Sequence, residues 1–125
     1  MPTNTTLQVA AVPIMSSGAG LPFSAQVTTK QQVKDAAGTV AGWSVLNTTS
    51  AIAYVQIFNA LAASVTLGST APDWVIPVPA NGTTGAGTNG MLSLSILHST
   101  AITIACTTTR TGPTTAACDV LLFFN

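Results

Sequence analysis

Beyond about residue 38, apolar and polar residues alternate with a period of two through much of the chain, the pattern of half-buried β-strands. In residues 91–97, MLSLSIL, the side chains of Leu92, Leu94 and Ile96 fall on one face and those of Ser93 and Ser95 on the other, because successive residues of a strand point to opposite sides. In residues 101–107, AITIACT, the same rule aligns Ile102, Ile104 and Cys106. A hairpin centred on Ser99 sets Ile96 opposite Ile102, Leu94 opposite Ile104 and Leu92 opposite Cys106. A second, centred on Gly112 in the turn RTGP, sets Cys106 opposite Cys118, Ile104 opposite Val120 and Ile102 opposite Leu122. Both registers keep the apolar side chains on one shared face, which predicts a three-strand meander.

Earlier, residues 40–46 (VAGWSVL) and 51–58 (AIAYVQIF) flank the turn-like NTTS, predicting a hairpin with Trp43 near Tyr54 and Val45 near Ile52. Both of these strands carry apolar residues on both faces. Residues 73–79, DWVIPVP, place Trp74, Ile76 and Val78 on one face, while Pro77 and Pro79 remove two donors from the same side of the strand. Such a strand belongs at a sheet edge, donor-free side outward. Residues 1–36 are punctuated by Pro and Gly and read as an N-terminal arm or edge element, with the β-domain over residues 37–125. Seven or eight short strands and no helix of secure length predict an all-β fold, a single antiparallel β-sandwich of jelly-roll or Ig-like type.

Composition narrows the function. At 125 residues the chain is long enough for one core without metal or disulfide. Charged residues make up 5% of it, namely Lys30, Lys34, Arg110, Asp35, Asp73 and Asp119, where a soluble domain usually has about 25%. Zero formal net charge leaves no basic patch to neutralise phosphates, so nucleic acid is not an expected partner. With 47% hydrophobic residues, the surface must be covered by Thr, Ser, Asn, Gln and Ala or by other protein, and self-association is expected. The first twenty residues lack a basic n-region, and Pro13 interrupts their apolar run, so no signal peptide is expected. Gln56 and Asn59 sit near the centre of the uncharged stretch 51–68, which argues against a membrane span.

Catalytic chemistry finds few residues to use. The single histidine, His98, falls at a predicted turn tip, where a solvated loop role is expected. The sequence lacks G-x-S-x-G, and no C-x-x-C or H-x-x-x-H spacing supports a metal site; no cofactor is expected. Residues 85–90, GAGTNG, match the dinucleotide pattern G-x-G-x-x-G. That pattern works only between a central parallel strand and a helix, with an acidic residue about 20 positions on. Here a proline-bearing strand precedes it, a strand follows it, and Arg110 stands at the acidic position. Residues 80–90 are therefore expected to be a loop at one end of the sandwich. For Cys106 and Cys118 two readings stand side by side, buried free thiols or a disulfide formed in an oxidising medium.

Residues 54–82, YVQIFNALAASVTLGSTAPDWVIPVPANG, resemble small virion proteins of tailed bacteriophages. The shared pattern is a strand ending in Phe58-Asn59, then Gly68-Ser69-Thr70-Ala71-Pro72, then Ile76-Pro77-Val78-Pro79-Ala80, a Gly-rich loop and a further strand. The likeness covers residues 38–125 and is greatest for capsid decoration or cement proteins. It implies a β-sandwich made in the host cytoplasm and assembled on the capsid surface of the virion. The implied partners are the major capsid protein and further copies of the chain, as a homotrimer. Tyr54, Trp74 and Phe123 are the candidate self-association residues, and the arm is a candidate for strand addition to a neighbour. The alternative is a tail-fibre or adhesin-type module that recognises host surface glycan through Trp43 and Trp74.

Overall fold

The computed structural model describes residues 22–85 and 91–125, with backbone alone at residues 83–85 and 91–95. Nine strands follow in chain order: β1 (Phe23–Val27), β2 (Gln31–Lys34), β3 (Gly38–Asn47), β4 (Ala53–Phe58), β5 (Trp74–Val78), β6 (Gly82–Gly85), β7 (Met91–His98), β8 (Ile102–Thr107) and β9 (Cys118–Phe124). Among the described residues the one helical segment is a 3-10 turn at Ala62–Ser64. Val, Ile and Thr recur through β3, β4, β5 and β8, and these branched side chains favour a pleated surface over a helix.

The strands form two antiparallel sheets. The first runs β1-β9-β3-β6, with β7 also on β3, and the second runs β2-β8-β4-β5. β6 pairs with the end of β3, from Asn47↔Gly82 to Ser44↔Gly85, and β7 pairs with its beginning, from Gly38↔His98 to Gly42↔Met91. The two therefore act as one interrupted strand. Counted that way, the order is that of a jelly roll. The pairs β4–β5, β3–β6/β7, β2–β8 and β1–β9 nest inside one another. The chain is one long hairpin with its tip at residues 59–73, rolled up so that most connections pass from one sheet to the other.

This order replaces the predicted meander. β7 and β9 lie in the first sheet and β8 in the second, so neither the Ser99 nor the Gly112 hairpin joins its two strands. After β8 the chain does turn back on itself, in a short ladder centred on Thr111 with Thr107 bridged to Thr115, before β9 enters the other sheet. β3 and β4 are also in different sheets: Trp43 is opposite Leu122, and Tyr54 is opposite Pro77 and Thr107. Period two fixes which side chains share a face, but an inward face is satisfied equally by a neighbour in its own sheet or by the sheet across the core. Even the short link from His98 to Ile102 suffices, since four residue steps reach roughly 13 Å and stacked sheets lie about 10 Å apart.

Between the sheets lies one apolar core. The first sheet contributes Val27, Val40, Val45, Cys118, Val120 and Leu122, and the second contributes Val55, Ile57, Ile76, Val78, Ile102, Ile104 and Cys106. The shared inward face of Ile102, Ile104 and Cys106 is as the alternation predicts; the faces of Leu92 and Leu94 lie outside the described side chains. β5 is an edge strand, with Pro77 and Pro79 exposed, as its prolines require.

Two boundaries move. β1 and β2 are edge strands, one in each sheet, in keeping with the edge-element reading of this segment, and Val27 is fully buried, so the sandwich takes them in and extends back to residue 23. The rest of the proposed arm, residues 1–21, lies outside the described residues. Residues 82–85 form β6 in place of a loop, because the free edge of β3 offers them a ladder. The chain enters that ladder through Asn81, whose φ of 50° is left-handed, a conformation asparagine tolerates. Residues 86–90, most of the G-x-G-x-x-G match, lie outside the described residues.

Candidate functional site

The two sheets finish their outer faces differently, and this contrast locates the site. β8 is buried along its whole length, so Thr103, Ala105 and Thr107, which point away from the core, are covered by something else. That cover is the chain itself. Residues 59–73 fold over one half of the sheet, where Phe58, Val65 and Ala105 form a second buried cluster flanked by Ala60 and Leu67. The connection from β8 to β9 covers the other half. The two coverings touch at Gly68, whose left-handed φ of 88° disfavours any side chain and where an added Cβ would press on Pro113, 3.0 Å from its nearest carbon.

Side-chain amides fasten these covers. The Gln32 amide donates to the Lys34 carbonyl (2.7 Å), the Ile102 carbonyl (2.9 Å) and Thr103 Oγ1 (3.0 Å), and its oxygen accepts from the Ala62 N–H at 2.7 Å. Gln56, fully buried, donates to Thr107 Oγ1 (2.8 Å) and to the carbonyls of Gly112 (3.2 Å) and Thr109 (3.3 Å). Asn59 Oδ1 accepts from the N–H of Thr100 (2.7 Å) and Ala101 (3.3 Å), and Nδ2 donates to Ser99 Oγ (3.0 Å). Lys30 Nζ adds a bond to the Val65 carbonyl at 2.5 Å. In a chain with few charges, neutral amides hold loops to the sheet, as buried polar groups require.

The first sheet's outer face has no such cover among the described residues. Alternation along β9 turns Asp119, Leu121 and Phe123 outward, and the outward residues of β1 and β3 complete a shallow groove of about 330 Å³ lined by Ser24, Gln26, Ser44, Leu46, Asp119 and Leu121. Leu46 is 39% exposed there, and Leu97 on β7 is 70% exposed beside a second hollow of about 260 Å³ bordered by Lys34, Thr39 and Asn125. A sheet face of small neutral residues and leucines, with one carboxylate, suits contact with another surface better than chemistry on a small molecule.

The three predicted association residues do not form one patch. Phe123 lies on the open face, and Tyr54 lies on the far side of the molecule, on the second sheet. Trp74 packs against the core, with its ring 5.0 Å from Trp43 and 6.1 Å from His98 between centroids. Leu46, Leu97 and Leu121 were not singled out by sequence reasoning. The signal was there in part, since each is an apolar residue out of phase with its strand's inward face.

His98 is buried at the end of β7, 1% exposed, and not a solvated turn residue. Its Nε2 accepts the Trp74 indole N–H at 3.1 Å, so Nε2 is unprotonated and Nδ1 carries the hydrogen, buried near the Ile96 backbone but without a well-formed hydrogen bond. Burial pushes the His98 pKa down, against smaller opposing pulls from the Ile96 backbone and Asp73. Cys106 and Cys118 face each other across the core, free and buried, with Sγ atoms 2.7 Å apart. Among the described residues no group of three His, Cys, Asp or Glu converges as a metal site would need, and no helix is long and apolar enough to cross a membrane. Compared with protein-family models, with curated proteins and with solved structures, the chain matches none of them.

Proposed function

We propose that this protein is a non-enzymatic virion component, a capsid decoration or cement protein that binds across joints of a phage capsid lattice and self-associates, as a trimer, on its surface. The reading rests on the phage-like pattern of residues 54–82, and the observation that carries it in the fold is the asymmetry of the two outer faces. Jelly rolls build viral capsid and lectin domains alike, so the fold admits both the cement and the glycan-binding readings and the surface must choose between them. Cementing needs area and complementarity without reactive groups. The open, nearly uncharged face around Leu46, Leu121 and Phe123 supplies these, on a body whose other sheet is covered by its own chain along β8 and the end of β4. Glycan recognition asks for an exposed aromatic ring with polar groups beside it, whereas Trp43 and Trp74 pack against each other and the core.

The experiment is a binding assay of the purified protein on expanded, empty capsids that lack it, beside host cells and host polysaccharide. Saturable binding to capsids, and a rise in the temperature at which the particles break, is the expected result. Binding to cells or polysaccharide with no affinity for capsids overturns the proposal in favour of the adhesin.

A further inference from the structure

Alternation puts Cys106 on the inward face of β8 with Ile102 and Ile104, and Cys118 on the inward face of β9 with Val120 and Leu122. Because β8 and β9 belong to different sheets, the two thiols meet across the core and not along a ladder. They are 0% and 1% exposed, and their sulfurs, 2.7 Å apart, are a short approach from the roughly 2.05 Å of a bond. Both sit at the ends of their strands nearest the connector 108–117, whose residues 108–111 are exposed. Opening that connector is the shortest path by which a reagent reaches them.

We propose that Cys106 and Cys118 form an oxidative modification site, at which an intramolecular disulfide ties the two sheets together once the protein meets an oxidising medium. The oxidant is a small-molecule disulfide, of which oxidised glutathione is the probe. The Cys118 thiolate attacks one sulfur of that disulfide, and the other sulfur leaves as a thiolate. Cys106 then loses its proton to solvent and attacks the Cys118 sulfur of the mixed disulfide, expelling the second small thiolate. Two protein thiols lose two electrons and two protons, and the small disulfide takes them up as two thiols. Cys118 goes first because it opens β9 directly beside the connector, whereas Cys106 lies one residue inside β8; the contact with Cys106 also lowers the Cys118 pKa from the usual thiol value. Cys106 is pushed up by donating the hydrogen bond of that contact and by burial. The proposal does not depend on the capsid reading.

The test uses the whole chain, reduced and then refolded in oxidised or reduced glutathione, unfolded in guanidinium with iodoacetamide, and weighed intact. The oxidised sample is expected to take up no alkyl group, to weigh about 2 Da less than the reduced chain, to run as a monomer on a non-reducing gel, and to melt roughly 10 °C higher. Cys118→Ser should remove both the mass change and the rise in melting temperature; should that variant fail to fold, the thiol count of the unaltered chain decides. Two alkylated cysteines after oxidative refolding, a persistent glutathione adduct, or a bond between two chains would each overturn it.

Discussion

The outer faces of the two sheets begin from similar material and end differently. On the second sheet, Gln56, Phe58, Thr103, Ala105 and Thr107 point outward and are buried, because the hairpin tip and the β8–β9 connection lie over them. On the first sheet, Ser44, Leu46, Asp119, Leu121 and Phe123 point outward with no described loop above them. A β-sandwich with one core would show two solvated faces with polar residues outside. Here one face has become a second, smaller core, and the other keeps leucines where water would favour threonine. The cover is not itself free of exposed apolar groups, since Leu61 within it is 41% exposed; the difference between the faces lies in the leucines that stand on the strands of the open sheet.

The contrast can be broken most forcefully at Phe58. If the covered face is a core in its own right, Phe58→Ala should cost about 3–5 kcal/mol, read from a denaturant melt. A loss below about 1 kcal/mol would mean that the 59–73 cover contributes little. Gln56→Ala comes next: it strips the donor from Thr107, Thr109 and Gly112 and should cost about 1–3 kcal/mol, with faster amide exchange in residues 108–114. Retained exchange protection there would show that Pro113 and Gly68 suffice to hold the connection.

Acidity tests the seam where the sheets meet, at Trp43, Trp74 and His98. A folded-state pKa held below the unfolded value of 6.5 means that the unfolded chain binds the extra proton more readily. Stability from neutral His98 is thus fully present above 6.5 and falls as pH drops through the folded pKa. Protonated His98 cannot accept the Trp74 N–H, so tryptophan emission should shift as stability falls. His98→Gln should flatten that part of the pH profile, and an unchanged slope would place the titration elsewhere. The smallest effect on stability is expected on the open face. Leu97→Thr and Leu46→Thr should stay within about 0.5 kcal/mol of the parent and still weaken capsid binding. Loss of folding in place of binding would make that face structural.

Much of the inward pattern was legible along the chain, and little of the neighbourhood was. Ile102, Ile104 and Cys106 share a face as their spacing requires, and Pro77 marks an edge. Cys106 and Cys118 do face each other, but across the core, since a strand's period says nothing about which sheet its partner occupies. Local hairpins at Ser99 and Gly112 are the economical guess because consecutive strands usually pair. The actual centre of symmetry is the 59–73 excursion, which looks like a loop. Burial of Thr103 and Thr107 was hidden for the same reason, as their cover comes from residues that are not their sequence neighbours. The open face was half visible, in the out-of-phase Leu46, Leu97 and Leu121; that nothing described covers it belongs to the tertiary structure alone.

The nesting of the strands also sets an order of events in time. β4 and β5 can pair as soon as both exist, but β1 has no strand beside it until β9 has been synthesised. With so many pairings joining distant parts of the chain, refolding is expected on the millisecond-to-second scale. Through that interval the edges of both sheets stand open. A nascent copy close to its siblings would complete its sheets with whichever β9 arrived first, so the rolled hairpin that gives the finished molecule its rigidity also makes strand exchange between copies its characteristic error.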